Sequence, residues 1–167
     1  MTPEEITDTA INPALARLPG QMDSPAARAL LLATALQESR LEHRRQLGNG
    51  PARGFWQFEQ GSRVSRGGVW GVYLHPASAP LLRELCARRH VACDPAEIWR
   101  AIEFDDILAA GVARLLIYTD PRPLPGLDDV DGAWELYAKR CWRPGKPHPQ
   151  SWPACHAQAR AYVEGRT

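Results

Sequence analysis

The sequence predicts an all-α protein, and three observations carry that prediction. Among apolar residues, 24 Ala and 18 Leu stand against 7 Val and 6 Ile. Ala and Leu favour helices, whereas sheets favour β-branched side chains. Helix-start signatures recur along the chain, each with a capping residue followed by proline. Finally, the run Ala29–Leu36 is apolar on every side of a helix, which places that helix among other elements.

The elements follow in order. Thr2-Pro3-Glu4-Glu5 joins a cap, a proline at the first helical position and a glutamate three residues after the cap. That helix should run to about Arg17 and stop before Pro19-Gly20. Ser24-Pro25-Ala26-Ala27 opens a second helix, expected to pass through Glu38 and end near Arg45. Residues 46–54, with three glycines and a proline, read as a loop leading into Phe55-Trp56-Gln57-Phe58. Gly61–Gly71 reads as irregular. Further helices are expected over Ala77–Arg89, Asp94–Ala101, Phe104–Thr119, Asp131–Trp142 and Ser151–Glu164. Proline-rich connectors, Pro121–Pro125 and Pro144–Pro149, separate the last three. The expectation is about seven helices around one buried central helix, in a single domain spanning residues 1–167.

Length and charge narrow the function. A chain of 167 residues is one domain's worth and can bury a full core. With 20 Lys and Arg against 19 Asp and Glu, the net charge is +1, which argues against a uniformly basic nucleic-acid binder and an acidic disordered tail. Local basic runs remain: Arg40, Arg44, Arg45, Arg53, Arg63 and Arg66 surround one segment, and Lys139, Arg140, Arg143 and Lys146 form another. They suit phosphates, anionic wall polymers or simply water. Ala29–Leu36 falls far short of the ~20 residues of a membrane span. Met1–Thr9 is acidic and lacks the features of a signal peptide, so synthesis in the cytoplasm is expected, with another agent needed for transfer elsewhere. Cys86, His90 and Cys93 have a spacing that would need Cys141 or Cys155 to complete a zinc site, and no metal or other cofactor is expected.

One residue departs from the helical pattern. Glu38 falls on the same side of its helix as Leu31, Thr34 and Leu41. Desolvation there favours the neutral acid, and Glu42, one turn on, would push the same way. A carboxylic acid still protonated near neutral pH is what protonates a glycosidic oxygen. The alternative is a helix-end glutamate in water or paired with Arg45.

The surrounding residues resemble the lysozyme-like superfamily, in its soluble lytic transglycosylase and goose-type lysozyme branch. That family has a Glu-Ser pair at the end of a buried helix, then a loop and a Gly-Ala-x-Gly-Leu-Met-Gln-like segment. Here Glu38-Ser39 is followed by Gly50-Pro51-Ala52-Arg53-Gly54-Phe55-Trp56-Gln57, with Gln57 nineteen residues after Glu38. A second match is Ala133-Trp134-Glu135-Leu136-Tyr137-Ala138-Lys139, where the family has Ala-x-Tyr-Asn-Ala-Gly. Only Tyr137 carries across, and the asparagine and glycine are absent. The recognisable core spans about residues 24–142, and Trp142–His148 lies outside the common pattern.

The resemblance implies a peptidoglycan-cleaving glycosidase, a lytic transglycosylase or muramidase, with Glu38 as the acid on the β-1,4 link between amino sugars. Ser39, Gly54, Trp56, Gln57, Glu59 and Tyr137 are the candidate substrate-binding residues. Gly54 would let backbone approach a ligand, and the aromatic segment offers faces either to sugar rings or to the core. Glu59 is the nearest candidate for a second carboxylate. Asp105 and Asp106 read as helix caps. Such domains without a signal peptide are typical of bacteriophages, which implies action at the bacterial wall or in the particle, beside other virion or lysis proteins. The rival expectation is a non-catalytic phage structural or assembly protein.

Overall fold

Most helical starts form close to where the sequence places them, a helix over Gly68–Leu74 being the exception, and the ends are decided by tertiary contacts. The computed structural model describes residues 1–165; the last two residues of the expected 1–167 domain lie outside the described part. Among the described residues there are eight helices and no strand, only isolated bridges joining Arg45 to Arg53 and Arg53 to Phe58. No helix among them is long and apolar enough to cross a membrane.

Helix α1 is continuous through Pro3–Ile6, a wide π-turn at Thr7–Ile11, and Asn12–Leu15. Its capping box is complete: Glu5 N donates to Thr2 Oγ1 at 3.1 Å, and Thr2 N donates to Glu5 Oε2 at 2.7 Å. Helix α2, Pro25–Ser39, starts with Ala27 N donating to Ser24 Oγ. It ends six residues before the expected Arg45. Arg40 and Leu41 both adopt left-handed backbone, φ 51° and 59°, which turns the chain away at Glu38-Ser39. The apolar pattern ran on through Leu41, whose side chain is buried as the loop folds back, so periodicity alone gave no stop.

The remaining helices are α3 (Gly68–Leu74), α4 (Ala79–Arg88), α5 (Pro95–Ala101) and α6 (Asp106–Tyr118). They are followed by α7 and α8. Helix α7 joins Val130–Trp134 to a π-helical stretch, Glu135–Cys141; α8 is Trp152–Glu164. The Gly61–Gly71 stretch is thus irregular only in its first part. Val69 N and Trp70 N donate to Glu59 O and Gln60 O, closing a loop whose end feeds α3.

Two helices, rather than one, are deeply buried. In α2 ten residues are buried, and in α6 every residue from Leu108 to Ile117 is. Helix α2 makes its broadest contact with α8. The C-terminal helix, beyond residue 142, therefore backs the helix carrying Glu38. Its Trp152 is among the largest fully buried side chains.

Candidate active site around Glu38

The end of α2 is a designed stop in the backbone. Ser39 Oγ donates to Ala35 O at 3.0 Å and accepts from Leu41 N at 3.2 Å. Those bonds satisfy groups freed where the helix terminates. Ser39 is buried, so its hydroxyl caps the helix and does not face a ligand. Its neighbour Glu38 is half-buried.

Tyr137 Oη donates to Glu38 Oε1 at 2.6 Å. The π-helical stretch of α7 brings this about: Trp142 N bonds to Tyr137 O, five residues back, and Leu136, Tyr137 and Cys141 all turn inward. Wide turns of this kind recur at functional sites. Burial pushes the Glu38 carboxyl from 4.5 up to about 7; the Tyr137 bond, which favours the ionised form, opposes that, and the charge of Glu59 adds to it. The Tyr137 phenol is pushed up by burial, and by Glu38 beside it. It stays a donor throughout the neutral range.

Arg45, the cation that would have ionised Glu38, is engaged elsewhere. Its Nη2 lies 2.9 Å from Glu103 Oε2, and Arg53 Nε lies 3.1 Å from the same oxygen. No basic group among the described residues pairs with Glu38. Arg44 likewise pairs with Asp106, through Nη2 to Oδ2 at 2.7 Å, and stacks over Phe55. Asp105 caps α6, accepting from Leu108 N, and pairs with Arg89. Asp106 opens α6 but spends its carboxylate on Arg44.

The other candidate residues divide. Trp56 is fully buried, and its Nε1 donates to Leu31 O at 2.9 Å, so it is a core residue and cannot present a face to sugar. Gly54 has φ 70°, and a Cβ there would stand 2.5 Å from Ile102 O. The glycine is needed for close approach to the protein's own backbone at the α5–α6 junction, not to a ligand. Gln57, also left-handed at φ 47°, is half-buried and donates through Nε2 to Gly54 O at 2.7 Å and His43 O at 3.3 Å. It closes the loop that follows the acid. Glu59 is exposed at the start of the glycine loop, close enough for its charge to act on Glu38. The acid, Tyr137 and Glu59 are the residues that the fold brings together.

Sequence reasoning missed the C-terminal wall of this site. Tyr137 stacks on Trp152 with ring centroids 4.8 Å apart and planes 4° apart, while Trp142 lies 6.0 Å away on a tilted plane. Trp142 Nε1 donates to Trp56 O, and the ring packs on Phe58. Gln37, next to the acid, donates to His148 O and accepts from Ser151 Oγ, both at 3.0 Å. Two tryptophans flanking a proline-rich connector were the available signal.

Two hollows open elsewhere. One, about 630 Å³, runs along Leu41–Arg45 and Phe55; another, about 360 Å³, lies between α1, α2 and α8 at Asn12, Arg28 and Tyr162. Glu38 is in the wall of neither. Among the described residues no three His, Cys, Asp or Glu side chains gather to hold a metal. Compared with family models, curated proteins and solved structures, the chain matches none of them.

Proposed function

We propose that the protein is a peptidoglycan-cleaving glycosidase, a lytic transglycosylase or muramidase of lysozyme-like type, in which Glu38 is the general acid and then the general base. The observation that carries this reading is a carboxyl without a cationic partner, pushed up to about 7 by burial and touched by one hydroxyl donor, Tyr137. A general acid works best with its pKa near the operating pH. Protonated Glu38 delivers its proton to the glycosidic oxygen of the β-1,4 link as that bond breaks. The carboxylate left behind is stabilised by the Tyr137 hydroxyl. It then takes a proton from the attacking oxygen, either a sugar hydroxyl, giving an anhydro end, or water. Glu59 is exposed and acts on Glu38 through its charge, without a hydrogen bond to the pair, which supports the version with a single working carboxylate.

The substrate is the glycan strand of the wall, and the setting is the bacterial cell wall or a phage particle, with other virion or lysis proteins as partners. No cofactor enters the chemistry. A second reading, a phage structural or assembly protein with a lapsed site, draws on one observation: the two hollows described above leave Glu38 out of their walls.

The test is Glu38→Gln, which keeps size and hydrogen bonding but has no proton to give. Clearing of purified sacculi is expected to fall by about 10²–10⁴-fold, the range for general acid catalysis. Clearing at the parent rate would overturn Glu38 as the acid, and a parent that clears nothing would favour the non-catalytic reading. Mass spectrometry of the released fragments separates anhydro from hydrolysed ends.

A further inference from the structure

The Glu38 carboxyl, pushed up mainly by burial, is touched by one hydrogen-bond donor, and that contact is only as well defined as the donor's position. The donor, Tyr137, sits on a π-helical stretch, where Trp134 and Trp142 lean on its ring from tilted planes at 5.6 and 6.0 Å. The parallel and closest of its ring contacts comes from α8. The Trp152 indole lies parallel to the phenol at 4.8 Å. The indole is itself held, with Nε1 donating to Val130 O at 3.1 Å at the start of α7, and Trp134 packed on it at 5.8 Å. One residue before it, Ser151 Oγ bonds to Gln37, the residue preceding the acid. Helix α8 is thus tied to α7 through the ring that stacks on the donor and to α2 beside the acceptor. A phenol stacked flat on Trp152 and flanked by the tilted Trp134 and Trp142 can swing its hydroxyl through only a small arc.

We infer that Trp152 is a positioning residue for Glu38, holding Tyr137 in the orientation from which its hydroxyl reaches the carboxyl, and that α8 is therefore part of the catalytic unit. This rests on Glu38 being the working acid. The charged and titratable groups around the pair are few. Glu59 acts on Glu38 from the glycine loop. Cys155, on α8, acts on Tyr137, and Arg40 at the end of α2 acts on Cys155. His156 lies against Trp152, its proton affinity lowered mainly by burial. None of them contacts the hydroxyl, so the ring's orientation is the variable that Trp152 controls.

The experiment follows the Glu38 side-chain carboxyl by carbon-13 NMR across pH, beside wall clearing, in the full chain. Tyr137→Phe removes the donor and is expected to move the Glu38 midpoint upward by about one unit. Trp152→Leu should move it in the same direction, and the double variant should go no further than Tyr137→Phe alone. Trp152→Phe, which keeps a stacking ring, should restore most of the parent midpoint. A merely structural Trp152 would lower Tm in the leucine variant and leave the Glu38 titration where it was, and that result overturns the inference. If Trp152→Leu does not fold, the Trp152 indole N–H resonance of the parent serves instead. It should titrate with the Glu38 midpoint and lose that response in Tyr137→Phe; a response that persists unchanged in Tyr137→Phe, or that never appears, overturns the proposal. Because the titration needs no turnover, an inactive parent sinks the glycosidase reading and the catalytic part of α8 while leaving the positioning of Tyr137 by Trp152 to be read, whereas an unmoved titration in an active enzyme sinks only the role of Trp152.

Discussion

Glu38 and Glu103 are the same residue in similar surroundings, each just beyond or at a helix end and each largely withdrawn from water. Their fates differ because of what faces them. Glu103 meets two guanidinium groups, Arg45 and Arg53, and Arg53 in turn lies over the Trp99 ring, whose Nε1 donates to Pro51 O. Glu38 meets a phenol and a second carboxylate. A buried carboxyl keeps its charge when a cation neutralises it and otherwise keeps its proton. The first arrangement clamps residues 45–53 onto the α5–α6 junction. The second holds a proton that chemistry can use. Arg45, engaged in the clamp, is no partner of Glu38.

The contrast makes predictions of unequal size. In catalysis the two glutamates should separate completely: Glu38→Gln is expected to lose about 10²–10⁴-fold in sacculus clearing. Glu103→Gln, measured per folded molecule, should clear walls within a few-fold of the parent. An equal loss in both would mean that the clamp, and not the proton, governs activity.

In stability they should differ in sign. The Glu38 pKa is raised from 4.5 in the unfolded chain to about 7 in the folded one, so the folded state holds the extra proton, and stability is lost as pH rises through that window. At ~1.4 kcal/mol per unit, the ionised acid costs the fold on the order of 3–4 kcal/mol at most, at pH well above 7. Thermal unfolding of Glu38→Gln should therefore show a Tm above the parent at pH 8 and equal to it near pH 4. Glu103→Gln leaves Arg53 without its anion and should lower Tm at pH 8.

The pH profile gives the third effect. Wall clearing should fall as pH rises through about 7, because the acid form is consumed. Tyr137→Phe should move that descending limb upward by about one unit, since the lost bond had favoured the carboxylate. Glu59→Gln should move it slightly downward, by a few tenths of a unit at low salt and less at high salt, as expected for a screened charge on an exposed side chain. A larger shift from Glu59→Gln than from Tyr137→Phe would mean that a second carboxylate, not the phenol, tunes the acid.

Helix starts were legible because each is a local contract between a side chain and nearby backbone. Thr2, Ser24, Asp94 and Asp105 all cap the helices whose starts they mark. Helix ends were less so. At Glu38-Ser39 the stop depends on Arg40 and Leu41 entering left-handed conformations, supported by Ser39 and by the burial of Leu41. Glu38 itself stood out as a carboxylate on an apolar face. Trp56 and Gly54 stood out in the sequence as candidates for substrate, with the core as the alternative for the ring; in the fold the ring and the close approach serve Leu31 and Ile102 of the same chain.

The all-α character, the capped starts and the solitary acid follow from residue types and short spacings alone. That Arg45 goes to Glu103, that Tyr137 reaches across ninety-nine residues to Glu38, and that Trp152 lies flat against Tyr137 are outcomes of packing. Local sequence can state how a side chain prefers to behave. Whether a buried carboxyl carries a charge or a proton depends on which distant groups the folded chain sets beside it, because desolvation and pairing energies exist only once those groups have met.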